Sequence, residues 1–260
     1  MNTSSRWSVI VGFALVAGAT QLLWLNFAGV TTVASEHYGV SETSIGWLAQ
    51  VFPLLYVVLA IPAGKLLDRN FRGWLIAGAV LTLVGACVRL VADDFTSVLV
   101  GQILIAVAQP LVLNAITGVT SAYLAEKDRP TGIAIGTAST FAGMLLAFLL
   151  GLVFTEGDQL RTMLVVSAVL AAAAAAVLMA VLRAPAPHQA AAAAGSKGSV
   201  KAVWADPFIR RLCFLVALPF GTFIALTTFA QPLLEPAGVS VDTAGVMLLL
   251  NVVAGIIGCA

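Results

Sequence analysis

The chain has 260 residues, 60% of them hydrophobic and 10% charged, with a formal net charge of +1 and a mean hydropathy of +1.03. Globular domains hold roughly 45–50% apolar and about 25% charged residues, so a water-soluble fold is excluded by apolar surface that it could not bury. A net charge this close to zero provides no basic patch for a nucleic acid, which leaves the lipid bilayer as the solvent and an all-α polytopic membrane protein as the class.

A helix needs about 20 apolar residues to cross roughly 30 Å of hydrocarbon. Cutting the chain at its charged clusters predicts spans at 8–33, 44–66, 74–92, 96–124, 132–154, 162–183 and 208–234. An eighth begins near 242 and is still apolar at Ala260. A single Arg6 before the first apolar run, with no small-residue cleavage site after it, reads as an uncleaved span rather than a secretory signal.

In the first span, Gln21 and Ala28 share a face with Trp24 at about 100° per residue, and Asn26 does not. Polar side chains are costly in lipid, so this face is expected to look into the bundle or a cavity, as part of a substrate-binding surface. There the Trp24 indole could hold a cation by its quadrupole; the alternative is a large core aromatic. Trp7, Trp47, Trp74 and Trp204 fall near predicted membrane interfaces and read as belt anchors.

The loop after the second span runs Gly64-Lys65-Leu66-Leu67-Asp68-Arg69-Asn70-Phe71-Arg72-Gly73. Asp68 is expected to face the N-terminus of the third helix, where unpaired N–H groups favour an anion. Arg69 and Arg72 could then pair with acids or helix C-termini of neighbouring bundles and act with Asp68 and Gly64 as a gate. A capped turn with snorkelling basic residues is the alternative.

The fourth span carries Gln102 and Gln109 on one face, with Pro110 removing a backbone donor beside Gln109. These two are expected to join Trp24 at a midplane site, unless each serves interhelical hydrogen bonding. In the fifth span Gly132, Gly136 and Gly143 predict close helix approach. In the seventh, Phe223, Thr227 and Gln231 follow i, i+4, i+8 beside Phe220, as the opposite wall of a cavity or as packing.

A polar, Pro- and Gly-containing linker after the sixth span divides the chain into a six-helix bundle at 1–184, a cytoplasmic linker at 185–206 and the seventh and partial eighth helices at 207–260. An inside N-terminus puts every Lys and Arg except Arg89 and Arg161 on one side, and Glu36, Glu42, Asp93, Asp94, Glu156, Asp158, Glu235 and Asp242 on the other. The expected location is the inner or plasma membrane of the cell, with the N-terminus cytoplasmic. Two six-helix halves built of inverted three-helix repeats are the plan of a major facilitator carrier, so the chain reads as roughly the first two-thirds of one, a fragment. No Asp or Glu falls well inside a span, and Arg89 lies near the outer end of the third, so transport is expected to be facilitative rather than proton-driven.

Cys87, Cys213 and Cys259 lie in apolar runs and read as packed free thiols. With His37 and His188 isolated, no nucleophile–base pair, metal spacing or phosphate loop is visible. The expectation is a non-enzyme, with no cofactor and no metal.

The Gly64–Gly73 loop resembles the cytoplasmic signature of the major facilitator superfamily, with Phe71 standing where that family usually has Gly. More specifically, Trp24, Tyr38-Gly39-Val40, Gly46-Trp47-Leu48, Pro62-Ala63, Leu66-Leu67-Asp68, Gly85-Ala86, Arg89, Gly101-Gln102 and Val107-Ala108-Gln109 resemble the feline leukaemia virus subgroup C receptor-related family. That family is associated with choline and ethanolamine transport and has been discussed for haem. The resemblance implies that Trp24 is the aromatic wall for a quaternary ammonium and Gln109 a polar contact. Two departures count against a full transfer: the family's cavity tyrosine aligns with Ile224, leaving Phe223 as the second aromatic, and its Asn-Gln pair aligns with Thr140-Phe141.

The expectation is therefore a monomeric secondary transporter moving a small organic solute, a choline-like cation in the sharpest form, by alternating access. A broad-specificity exporter of apolar compounds and a non-transporting receptor or scaffold are the rivals.

Overall fold

The computed structural model describes residues 5–188, 200–234 and 237–258, with the side chains of 200–202, 227–232, 241, 242, 244 and 255–258 left aside. The described residues form helices and turns only. In chain order these are α1 (Trp7–Leu25), α2 (Thr31–Tyr38), α3 (Glu42–Val88), α4 (Phe95–Leu113) and α5 (Ile116–Tyr123). Then come α6 (Arg129–Val153), α7 (Leu160–Val181), α8 (Val200–Ala205), α9 (Pro207–Leu234) and α10 (Val241–Gly258). Six of the helical stretches are long and apolar enough to cross a membrane.

One of the six holds two predicted spans. At about 1.5 Å per residue α3 would reach roughly 70 Å, more than twice a bilayer core. Its backbone leaves the helical region at Asn70 (φ −150°, ψ 75°). The two arms run back alongside each other: Leu48, early in α3, and Arg89, just past its end, both bond to Gln102 of α4. Asn70 caps the second arm, its Oδ1 accepting from the Gly73 N–H at 3.1 Å. This corrects the role expected for Asp68. Asn70 stands three residues before the N–H it bonds, the spacing an N-cap requires; Asp68 is exposed at the end of the first arm. Phe71, the departure from the superfamily signature, packs its ring over Gly118 of α5, leaving no room there for a Cβ.

Two further span boundaries differ from expectation. The first span stops at Leu25 rather than running to 33, because the chain tightens into i→i+3 bonds (Ala28 to Leu25, Val30 to Phe27) that end an α-helix. The fourth is broken at Asn114–Ala115, one turn after Pro110, separating α4 from α5.

Helix α1 packs against α6, α7 and α4, and α3 against α4 and α7. The α1–α6 contact is backbone to backbone: a Cβ at Gly143 would strike the Gly18 carbonyl oxygen, and one at Gly18 would lie 3.0 Å from the Ser139 carbonyl. Gly132 and Gly136 likewise give their space to Leu124 and Ile116, as the small-residue spacing predicts. The thiols differ from expectation, since Cys87 and Cys213 are free but exposed. In lipid the outside of a bundle is as apolar as its core, so an apolar run does not tell which face a cysteine takes. Cys259 lies outside the described residues.

At one end of the bundle the Arg6 N–H bonds the Tyr123 carbonyl and the His188 N–H that of Ala122. At the other, His37 pairs with Asp93 at 3.1 Å and Arg161 Nη2 donates to the Leu90 carbonyl. Groups assigned to opposite sides by the charge rule thus gather at opposite ends.

Candidate functional site

A proline sets the Trp24 geometry. Pro53 has no N–H to give the carbonyl four residues before it, so Ala49 lacks its intrahelical donor. Trp24 Nε1 supplies one at 2.8 Å. The ring then lies on Phe52, centroids 6.0 Å apart and planes inclined 27°. Trp24 is 6% exposed, its polar edge satisfied by Ala49 and one π face covered by Phe52.

Just beyond Trp24, the end of α1 is bound into a polar knot. The last four carbonyls of a helix lack intrahelical partners. That of Leu23 accepts from Arg89 Nη1 at 3.4 Å and from Gln102 Nε2 at 3.2 Å. Arg89 Nη1 also donates to Gln102 Oε1 at 2.9 Å and to Asn26 Oδ1 at 3.3 Å. Gln102 Nε2 reaches the Leu48 carbonyl at 3.1 Å, and Asn26 Nδ2 donates to Ser167 Oγ of α7. Placing the guanidinium at the negative end of α1 is favourable, and α3 and α4 approach closely enough for it because Gly85 and Gly101 have no side chains.

This knot bears on three sequence readings. Arg89 is at the end of the third span, as expected, but its side chain turns inward and is 1% exposed. Asn26, placed off the Trp24 face by helical periodicity, is buried too, because this end of α1 is enclosed on every side, with all residues from Ala19 to Leu25 buried. Gln102 has both N–H groups and its oxygen committed to the protein, which is the interhelical alternative. Sequence reasoning missed Asn26, Ser167 and Pro53. The Pro53 signal was legible: a proline in a span frees a carbonyl that some buried donor must reach.

Gln21 is buried with its amide 3.5 Å from Thr20 Oγ1. Gln109 is also buried, and its Nε2 has no partner, which makes it the available polar contact. Near the α4 break, Asn114 accepts from the Tyr56 hydroxyl at 2.7 Å and donates to the Ala60 carbonyl at 2.9 Å. Phe223 of α9 meets Phe141 of α6 edge-on and stacks on Phe220. The side chains of Thr227 and Gln231 lie outside the described residues. Among the gate residues, Asp68 and Arg69 are exposed and Arg72 half-buried, none in an ion pair among the described residues, and Gly64 has open space where a Cβ would point.

A recess of about 360 Å³ opens at the His37–Asp93 end of the bundle, lined by Phe27, Ala28, Thr31, Glu42, Trp47 and Gln50 among others. Beside it the Tyr38 hydroxyl is buried without a partner. Burial first, and then the Asp93 charge, push its phenol up to about 12. Among the described residues no cluster of metal-ligating side chains occurs.

Membrane-length helices around inward-turned amides, an indole and a guanidinium define a polytopic membrane protein with a polar bundle interior. The chain belongs to the Major Facilitator Superfamily, whose family profile matches residues 6–260. It is 28% identical to Solute carrier family 49 member A3 of Danio rerio, over 97% of this chain and 57% of that protein. It is 30% identical to the choline/ethanolamine transporter FLVCR1 of Felis catus, over 62% of this chain and 29% of that protein. The crystal structure of a bacterial homologue of the human lysosomal transporter Spinster, inward-facing and occupied, matches with a TM-score of 0.68 and 18% identity. It covers 94% of this chain and 58% of that one, which shows the fold. The chain spans less than two thirds of each of these proteins' length.

Proposed function

We propose that the complete gene product is a facilitative secondary transporter of a small organic solute, a choline-like cation, working as a monomer in the cell membrane with its N-terminus cytoplasmic. The observation that carries this reading is the commitment of the Trp24 N–H to Ala49. With its donor used, the indole offers a solute its π face, the surface that attracts a quaternary ammonium. Gln109, with a free amide, supplies a hydrogen bond to a hydroxyl on the same solute, and Gln21 lies near Trp24 on α1. Gln102 supports the site by holding α1 to α3 and α4. The similarity to a choline/ethanolamine transporter agrees with this chemistry.

Alternating access rests on the two-half plan of the superfamily. The Asn70 kink and the break after Pro110 supply points at which helices can bend, and the Gly64–Arg72 stretch is the proposed inner gate. Uncoupled movement is favoured because no Asp or Glu is buried among the described residues. The test is radiolabelled choline entry into liposomes bearing the complete gene product. Saturable entry indifferent to an imposed pH gradient is expected. Accumulation driven by that gradient would overturn the facilitative part, and entry no faster than into empty liposomes the cation part.

The Phe141–Phe223–Phe220 cluster favours a second reading, export of apolar compounds. Phe141 stands where the choline-type family has a polar residue, and its ring closes onto α9. The longer-running similarity to Solute carrier family 49 member A3 is compatible with either substrate. Apolar dyes expelled by the protein in competition with one another, with choline inert, would select this reading.

A further inference from the structure

We propose that the free edge of Arg89, together with the Tyr38 hydroxyl, is a seat for a compact monovalent anion, a halide or a carboxylate, at the outer end of the bundle. Arg89 spends Nη1 on three neutral acceptors, the Leu23 carbonyl, Asn26 and Gln102. Its Nε and Nη2 are buried and have no partner. Those two N–H groups form one side of the guanidinium, the parallel fork that takes a carboxylate bidentately.

The acids near by are engaged elsewhere. Asp93 holds His37, and Asp94 caps α4 by accepting from the Ser97 N–H at 2.8 Å. No carboxylate lies within ion-pair distance of Arg89 among the described residues. Helix α1's carbonyl end offsets part of the charge, but an uncompensated buried cation costs more than a helix terminus returns.

A second unpartnered donor points to the same place. The Tyr38 hydroxyl is buried without a hydrogen bond, and its ring packs against the same apolar cluster as Leu90, the neighbour of Arg89. Three donors with no acceptor, two of them charged, describe an anion site, whereas a water would leave the charge uncompensated. The polar residues around Nη1 fix the fork in place. An occupied seat would hold the outer end of α1, one turn from Trp24. The inference does not depend on what the protein transports, so a failed choline assay leaves it standing.

The test is thermal unfolding of the purified complete gene product in sodium chloride, sodium formate or sodium gluconate, at constant ionic strength. A ligand that binds the native state raises Tm saturably. The expected result is a saturable rise at millimolar chloride or formate, with gluconate inert because it is too large. A response to chloride identifies a halide seat, and one to formate alone a carboxylate seat. Tyr38→Phe, which keeps the ring, should weaken the response several-fold, and Arg89→Gln should abolish it. If Arg89→Gln does not fold, the wild-type and Tyr38→Phe curves decide. Identical wild-type melting in all three salts, or a response unchanged in both variants, overturns the proposal.

Discussion

Trp24 and Pro53 are linked through a backbone carbonyl: the proline denies Ala49 its helical donor, and the indole N–H supplies it at 2.8 Å. Trp24→Phe therefore strands that carbonyl and should cost about 1–3 kcal/mol. In a Pro53→Ala background residue 53 regains an N–H, so the same Trp24→Phe change should cost about 1 kcal/mol less. Reversible denaturation of the four proteins measures this cycle. Additive effects would show that the two residues are uncoupled.

Gln102 and Gln109 look equivalent in sequence and are opposite in structure. Gln102→Leu removes an acceptor from Arg89 and a donor from two carbonyls, so a loss of about 3 kcal/mol or more is expected. Gln109→Leu removes an amide whose nitrogen has no partner, and its cost should stay below about 1 kcal/mol. Unfolding midpoints check the contrast. Solute affinity should fall in the Gln109→Leu protein despite its intact stability.

At the α1–α6 crossing, Gly143→Ala drives a methyl group into the Gly18 carbonyl. Parting the helices should cost about 1–3 kcal/mol. Gly64→Ala meets nothing within 4 Å, and helical Ala is favoured over Gly by roughly 0.5–1 kcal/mol. A Gly64→Ala protein that melts no lower than wild type, yet transports more slowly, would assign Gly64 to the gate.

Asn70→Ala removes the cap of the second arm of α3 and should lower stability by about 1 kcal/mol. Asp68→Ala should leave the melting temperature near that of wild type. The reverse order would restore Asp68 as the helix cap.

Much of the fold was legible because bilayer thickness sets span length and charge sets the sides. The α1 end at Leu25 was not, since it lies in an apolar stretch where hydropathy alone is silent; the turn between 66 and 74 was expected, but not that Asn70 would cap the second arm. For the site, periodicity put Gln21, Trp24 and Gln109 in the interior, where they are found. It left Asn26 aside as off the Trp24 face, and a one-face rule is silent on a helix that is buried on every side. Arg89 was invisible for a different reason: the charge rule assigns it to a side of the membrane, while a long side chain can turn back toward a helix terminus. Only the fold shows that Gln102 is already saturated by that guanidinium and two carbonyls.

The most direct measurement is choline exchange by liposomes bearing the complete gene product, wild type against Trp24→Ala. The account predicts saturable exchange that falls at least about tenfold in the variant, the loss of roughly 1.4 kcal/mol or more of cation–π attraction in a desolvated site. Equal exchange in the two proteins, or none above empty liposomes in the wild type, would contradict it.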